Sequence, residues 1–155
     1  MTIEISSTQL KIIFDRAEAI YPEECCGILL GRFERKRKIV IEVISTINDW
    51  EASELNNERH RTKNSRYVIP PQEIFRAQKR GRDLDLEIIG FFHSHPDYPA
   101  IPSECDRVQA WEIYSYPIVS VIQGQSIEIK SWVLDKDLMF RSEEIKTLGV
   151  DGTAL

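Results

Sequence analysis

Apolar residues recur at spacings of three and four between Leu10 and Ile20: Leu10, Ile13, Phe14, Ala17 and Ile20. That period predicts an amphipathic helix, with Ser6 or Ser7 as its cap and Pro22 as its stop. The pattern then changes. Residues 24–33 form an apolar run expected of a strand buried on both faces. Residues 38–47 are β-branched and complete a hairpin, with the charged run 34–38 as a solvated turn rather than a basic binding patch. Tyr67-Val68-Ile69 reads as a short strand. Pro70-Pro71 opens a second helix, with Ile74, Phe75 and Ala77 on its packing face and Gly81 at its end. An apolar strand spans Leu86 to Phe92, and Ser103 begins a third helix carrying Val108, Ala110 and Trp111. Residues 117–122 and 127–134 form a hairpin turning at Gln123-Gly124-Gln125. The order is α-β-β-α-β-α-β-β, which predicts a single mixed α/β domain around one central sheet.

Two stretches break the pattern. Residues 48–65 have few apolar positions and no period, so they form a long loop, which in a compact domain is usually functional or disordered. The tail, 136–155, has room for one short element and then frays. The expected organisation is a domain over 1–135 with a C-terminal extension over 136–155.

Composition narrows the class. The chain has 155 residues, 42% hydrophobic and 29% charged, enough for one globular core. A net charge of −5 argues against a nucleic-acid-binding surface. No apolar run reaches membrane-spanning length, and the N-terminus lacks the features of a signal peptide. Three cysteines, two of them adjacent, make no disulfide framework, so the expected setting is a reducing cytoplasm.

The candidate chemistry lies between Gly90 and Asp106. Of three histidines, His93 and His95 stand two apart at a strand end, and His60 has no partner pattern. Residues two apart on a strand face one side, so both rings can converge on one ion. The same pair also suits histidines that only satisfy hydrogen bonds. Ser103 and Asp106 project from one face of a first helical turn. They read as a capping box, as metal-facing groups, or as both at once. Pro96, Pro99 and Pro102 stiffen the connection between the two halves. Two imidazoles and a carboxylate make an open zinc site, with a fourth position for water. That water needs a proton acceptor. Glu24 and Glu23 both qualify by position, and Glu24 opens the apolar strand.

Glu24-Cys25-Cys26-Gly27, His93-Ser94-His95-Pro96 and Ser103-Glu104-Cys105-Asp106 together resemble the JAMM (MPN+) metalloprotease signature. The likeness spans about residues 8–134 and is similar to the small stand-alone bacterial and archaeal members. It implies a curved mixed sheet flanked by helices, akin to the cytidine-deaminase-like architecture. It implies His93, His95 and Asp106 as ligands of one zinc ion, Glu24 as the base and Ser103 as the donor to the oxyanion. The implied activity is hydrolysis of an amide bond after the C-terminal tail of a ubiquitin-like or sulfur-carrier protein, releasing cysteine or another amine. Residues 48–65 fall where the family carries a variable insertion that clamps substrate, with Tyr67-Val68-Ile69 nearby. The family does not use Cys26 or Cys105 as ligands. Two other readings are a non-catalytic scaffold that binds a ubiquitin-like partner and a zinc hydrolase of small molecules. The second lacks the Pro-Cys-x-x-Cys of nucleobase deaminases.

Overall fold

A computed structural model describes residues 1–52 and 61–149. Its elements are β1 (Thr2–Ser6), α1 (Ser7–Ile20), β2 (Cys26–Glu34), β3 (Arg37–Thr46), a 3₁₀ turn (Trp50–Ala52), α2 (Pro71–Leu84), β4 (Glu87–Pro96), α3 (Glu104–Gln109), β5 (Ser115–Ile122), β6 (Gln125–Leu134) and β7 (Phe140–Leu148). The strands form one mixed sheet in the order β1-β3-β2-β4-β5-β6-β7. Parallel pairing of β1 with both β3 and β7 closes it into a barrel. Among the described residues no helix is long and apolar enough to cross a membrane.

Helix α1 begins where its period predicts. Ser6 is the cap, its Oγ accepting from the Gln9 amide while Gln9 returns the bond to the Ser6 amide. Ile13 and Ala17 pack with Ile3, Ile5, Leu29, Val40, Ile89, Phe92, Val119 and Val121 on one face of the sheet. The other face of β2 turns Cys26, Ile28 and Leu30 toward Ala77 of α2. A strand whose alternate residues feed two apolar clusters must read as a continuous apolar run, which accounts for residues 24–33.

Four expectations change. First, β1 is an added strand: five residues with only Ile3 and Ile5 apolar leave little signal. Second, Tyr67-Val68-Ile69 joins no ladder. Third, α2 runs past Gly81 to Leu84 and ends at Asp85, whose φ of 56° is left-handed. Gly81 is there for close packing instead, since a Cβ would lie 2.6 Å from the Leu86 carbonyl oxygen. Fourth, α3 ends at Gln109, and Val108 and Trp111 lie exposed rather than on a packing face. The tail beyond residue 135 supplies β7, which pairs with β6 and β1. It looks polar because its buried residue is Glu143, not a hydrophobe.

One irregularity lies just before the site. Leu29 pairs with Gly90 but Leu30 pairs with Ile88, so Ile89 is an extra residue on β4. Such a bulge flips the alternation beyond it. Ile88 packs on the α2 side, and so does Phe91, while Ile89 and Phe92 face α1. His93 follows Phe91 onto the α2 side, where its ring stacks on Tyr67.

Candidate metal centre

The end of β4 brings His93 and His95 together with their Nε2 atoms 3.1 Å apart. Asp106, in the first turn of α3, places Oδ2 at 3.3 Å from His95 Nε2 and 3.4 Å from His93 Nε2. Glu24, just before β2, places Oε1 at 3.9 Å from His95 Nε2. Both histidines and Glu24 are buried. The structure thus gathers Glu24, His93, His95 and Asp106, with Ser103 beside them on the rim of a cleft of about 790 Å³.

The tautomer of His95 is set by its surroundings. Its Nδ1 lies 2.8 Å from the Pro99 carbonyl oxygen, which can only accept. Nδ1 therefore carries a proton, and Nε2 faces Asp106. Among the described residues His93 Nδ1 has no hydrogen-bond partner. Its ring is held by Tyr67, stacked at a centroid distance of 4.4 Å.

This donor set fits a small divalent cation. Ligand atoms about 2.0–2.1 Å from a tetrahedral zinc lie about 3.3–3.4 Å apart. The three separations among His93, His95 and Asp106 are 3.1, 3.3 and 3.4 Å. Glu24 with the two histidines also gathers donor atoms within 4.8 Å of one another, which puts its carboxylate on the margin of the same site.

The capping reading of Ser103 and Asp106 holds, and it leaves Asp106 facing the histidines. Ser103 caps α3, its Oγ accepting from the Asp106 amide at 3.1 Å, while Asp106 Oδ2 accepts from the Ser103 amide at 2.7 Å. The same Oδ2 meets both histidines. Ser103 Oγ is used as an acceptor, so its O–H remains able to donate into the cleft.

The electrostatics separate the two carboxylates. Burial pushes the Glu24 carboxyl well above its usual value, Asp106 adds to this and Arg66 opposes it. Burial also acts against ionisation of Asp106, but His93, His95 and the Ser103 amide outweigh it and hold Asp106 well below the usual range. Burial lowers the proton affinity of His93. The adjacent thiols go the other way: burial raises Cys25 to about 11 and Cys26 to about 12. Cys26 Sγ turns away to Thr46 and the Ile47 carbonyl oxygen. Cys105 lines the cleft.

Three positions that support the site carry little sequence signal. Ser94, between the histidines, points to the opposite face and accepts the Cys25 amide at 2.8 Å. Its position inside His-Ser-His was the available clue. Tyr67 reads from sequence as an ordinary strand residue. Asn48, at the exit of β3, is an isolated amide with no spacing to any motif. Of the 48–65 loop, Arg61, Asn64 and Ser65 line the cleft; Arg66, just beyond the loop, and Tyr98 and Ile101 line it too. Residues 53–60, with His60, lie outside the described residues.

Fold and site together define a mixed α/β domain that presents two histidines and two carboxylates at the mouth of one strand. Residues 7–135 match the prokaryotic homologues of the JAB domain, and the chain belongs to that family. It is 26% identical over 115 residues to a desampylase of Pyrococcus furiosus, covering 73% of this chain and 68% of that protein. It is 28% identical over 100 residues to a desampylase of Haloferax volcanii, covering 64% of this chain and 63% of that one. A solution structure of a protein from Desulfitobacterium hafniense superposes with a TM-score of 0.78 at 28% identity, covering 96% of this chain and 94% of that chain.

Proposed function

We propose that this protein is a zinc-dependent peptidase that hydrolyses the amide bond following the C-terminal tail of a ubiquitin-like or sulfur-carrier protein. The observation that carries the reading is the triangle of donor atoms, 3.1 to 3.4 Å on a side, with Glu24 at its open edge. The two relatives named desampylases support an enzyme acting on such conjugates.

His93, His95 and Asp106 would hold the ion. When bound, zinc supplies Lewis acidity toward a carbonyl and makes water acidic near neutral pH. The chain's own residues do the rest. Glu24, whose burial strengthens it as a base, takes one proton from the attacking water. The oxygen of that water bonds to the carbonyl carbon, and the carbon–nitrogen bond breaks as Glu24 returns the proton to the leaving amine. Ser103 donates a hydrogen bond from its hydroxyl to the carbonyl oxygen as negative charge builds there. The cleft between residues 61–66 and 98–105 is an open channel to these groups. An extended, glycine-rich tail has the narrow backbone such a channel admits.

The test is to offer the zinc-loaded protein a ubiquitin-like carrier with a C-terminal amide-linked cysteine or peptide. Cleavage that disappears on chelation and in Glu24→Gln is the expected result. Cleavage that survives either change overturns the mechanism. Absence of cleavage across a panel of carriers favours a binding module over an enzyme.

A further inference from the structure

Glu24 lies outside the β-ladder that holds its neighbours, because β2 starts at Cys26. Its backbone is fixed instead by the loop wall of the cleft. The Glu24 amide donates to the Lys63 carbonyl oxygen at 2.6 Å, and its carbonyl oxygen accepts from Asn48 Nδ2 at 3.2 Å. Asn48 does more than this. The same Nδ2 donates to the Arg66 carbonyl oxygen at 2.9 Å, and Oδ1 accepts the amides of Trp50 at 3.1 Å and Val68 at 3.2 Å. A carboxamide offers two donor hydrogens and two acceptor lone pairs, and all four are used here. Trp50, which is 1% exposed, reinforces the frame by donating Nε1 to the Arg61 carbonyl oxygen.

We propose that Asn48 is a positioning residue that sets where the Glu24 carboxylate stands relative to the two histidines. This rests on the reading of Glu24 as the proton acceptor. The geometry requires an amide. An aspartate at 48 keeps both accepted bonds but loses both donated ones, including the bond to Glu24. An alanine loses all four. The ligand triangle is built from β4 and α3, and none of these four bonds reaches either element. Two of the partners, Arg66 and Val68, flank Tyr67, whose ring lies on His93, so Asn48→Asp, which keeps the Val68 bond, is the variant that moves the base with least disturbance of the ligands.

The experiment compares the zinc-loaded wild-type protein with Asn48→Asp and Asn48→Ala in three measurements. These are zinc affinity by chelator competition, kcat and KM on the amide-linked carrier, and residue-resolved NMR of amide exchange and carbonyl carbon shifts. In both variants kcat is expected to fall about 10- to 100-fold, as for a base displaced by a fraction of an ångström to an ångström. KM and zinc affinity are expected to stay unchanged. The Glu24 carbonyl carbon shift moves in both, because that oxygen loses its Asn48 donor, whereas the Trp50 and Val68 amides stay protected in Asn48→Asp alone. Wild-type kcat in a folded variant, a loss confined to KM, or weakened zinc binding each overturns the proposal. If wild-type protein cleaves no carrier, the functional reading fails on its own. The carbonyl shift then decides: an unmoved Glu24 carbonyl in Asn48→Asp overturns the positioning role, and a moved one upholds the frame. Should Asn48→Ala fail to fold, Asn48→Asp, which is isosteric, carries the same comparison.

Discussion

Ser94 and Cys25 are hydrogen-bonded to each other twice. The Cys25 amide donates to Ser94 Oγ at 2.8 Å, and the Ser94 amide donates to the Cys25 carbonyl oxygen at 3.1 Å. Through this pair the segment carrying Glu24 is fastened to the strand carrying both histidines. Ser94→Ala leaves the buried Cys25 amide without a partner. Such a loss typically costs about 1–3 kcal/mol. Urea denaturation should show that loss, with zinc stoichiometry retained because neither histidine side chain is altered.

Asp106 serves both as a helix cap and as a proposed ligand, and the two roles separate by measuring with and without zinc. In metal-free protein Asp106→Ala should cost about 1 kcal/mol, the usual worth of a capping interaction. His95→Ala leaves the cap intact. With zinc in hundredfold excess over its dissociation constant, wild-type protein should gain about 2.7 kcal/mol, and both variants should lose most of that gain. Thermal unfolding of the three proteins with zinc and with chelator checks this. Equal zinc stabilisation in all three would remove Asp106 and His95 from the site.

Inside the barrel a second polar group binds the closing strand. Lys38 of β3 donates to Ser115 Oγ of β5 at 2.8 Å and lies 3.8 Å from Glu143 of β7, while Ser131 of β6 donates to Glu143 at 2.8 Å. Lys38→Met strands a buried carboxylate and should cost about 3–5 kcal/mol. The double change Lys38→Met with Glu143→Leu should recover most of it. Burial pulls the proton affinity of Lys38 below its usual 10.5, and Glu143 offsets this only in part. Between the lowered folded value and 10.5 the unfolded chain binds more protons than the folded one. The contribution of Lys38 to stability should therefore rise with pH across that window. The thiols of Cys25 and Cys26, raised by burial, act in the opposite sense in every variant. The check is a difference: in chemical denaturation, the unfolding free energy of the wild type minus that of the double variant should increase as pH approaches 10.5.

The three thiols differ in access. Cys25 and Cys26 are buried and free, with proton affinities raised by burial, whereas Cys105 is partly exposed on the cleft. A thiol-reactive disulfide reagent should label one cysteine in native protein and three after denaturation. Labelling of Cys25 or Cys26 in native protein would contradict the packing described.

The chemistry was legible because its residues are rare and closely spaced. Two histidines of three stand on one strand end, and a serine and an aspartate open one helix. Glu24 is far away in sequence, and the resemblance to a known signature was needed to prefer it to Glu23. The supports were not legible. Asn48, Ser94 and the Pro99 carbonyl act through hydrogen bonds that carry no periodicity. Likewise β7 was hidden because its buried position is an acid paired with a lysine about 100 residues earlier. Tyr67-Val68-Ile69 shows the opposite failure: β-rich residues with no neighbouring strand to pair with.

The extra residue at Ile89 has a consequence for chain length. Leu30 faces Ile88 and Leu29 faces Gly90, so a chain lacking Ile89 would alternate strictly and still bring His93 opposite Cys26. The bulge can therefore be lost without turning the imidazoles. One residue gained or lost between Gly90 and His93, with the earlier register held, would instead point them among Ile13, Leu29 and Val119. When relatives of this chain are aligned, a gap before Gly90 is neutral for the centre, and a gap between Gly90 and His93 is the one that removes it.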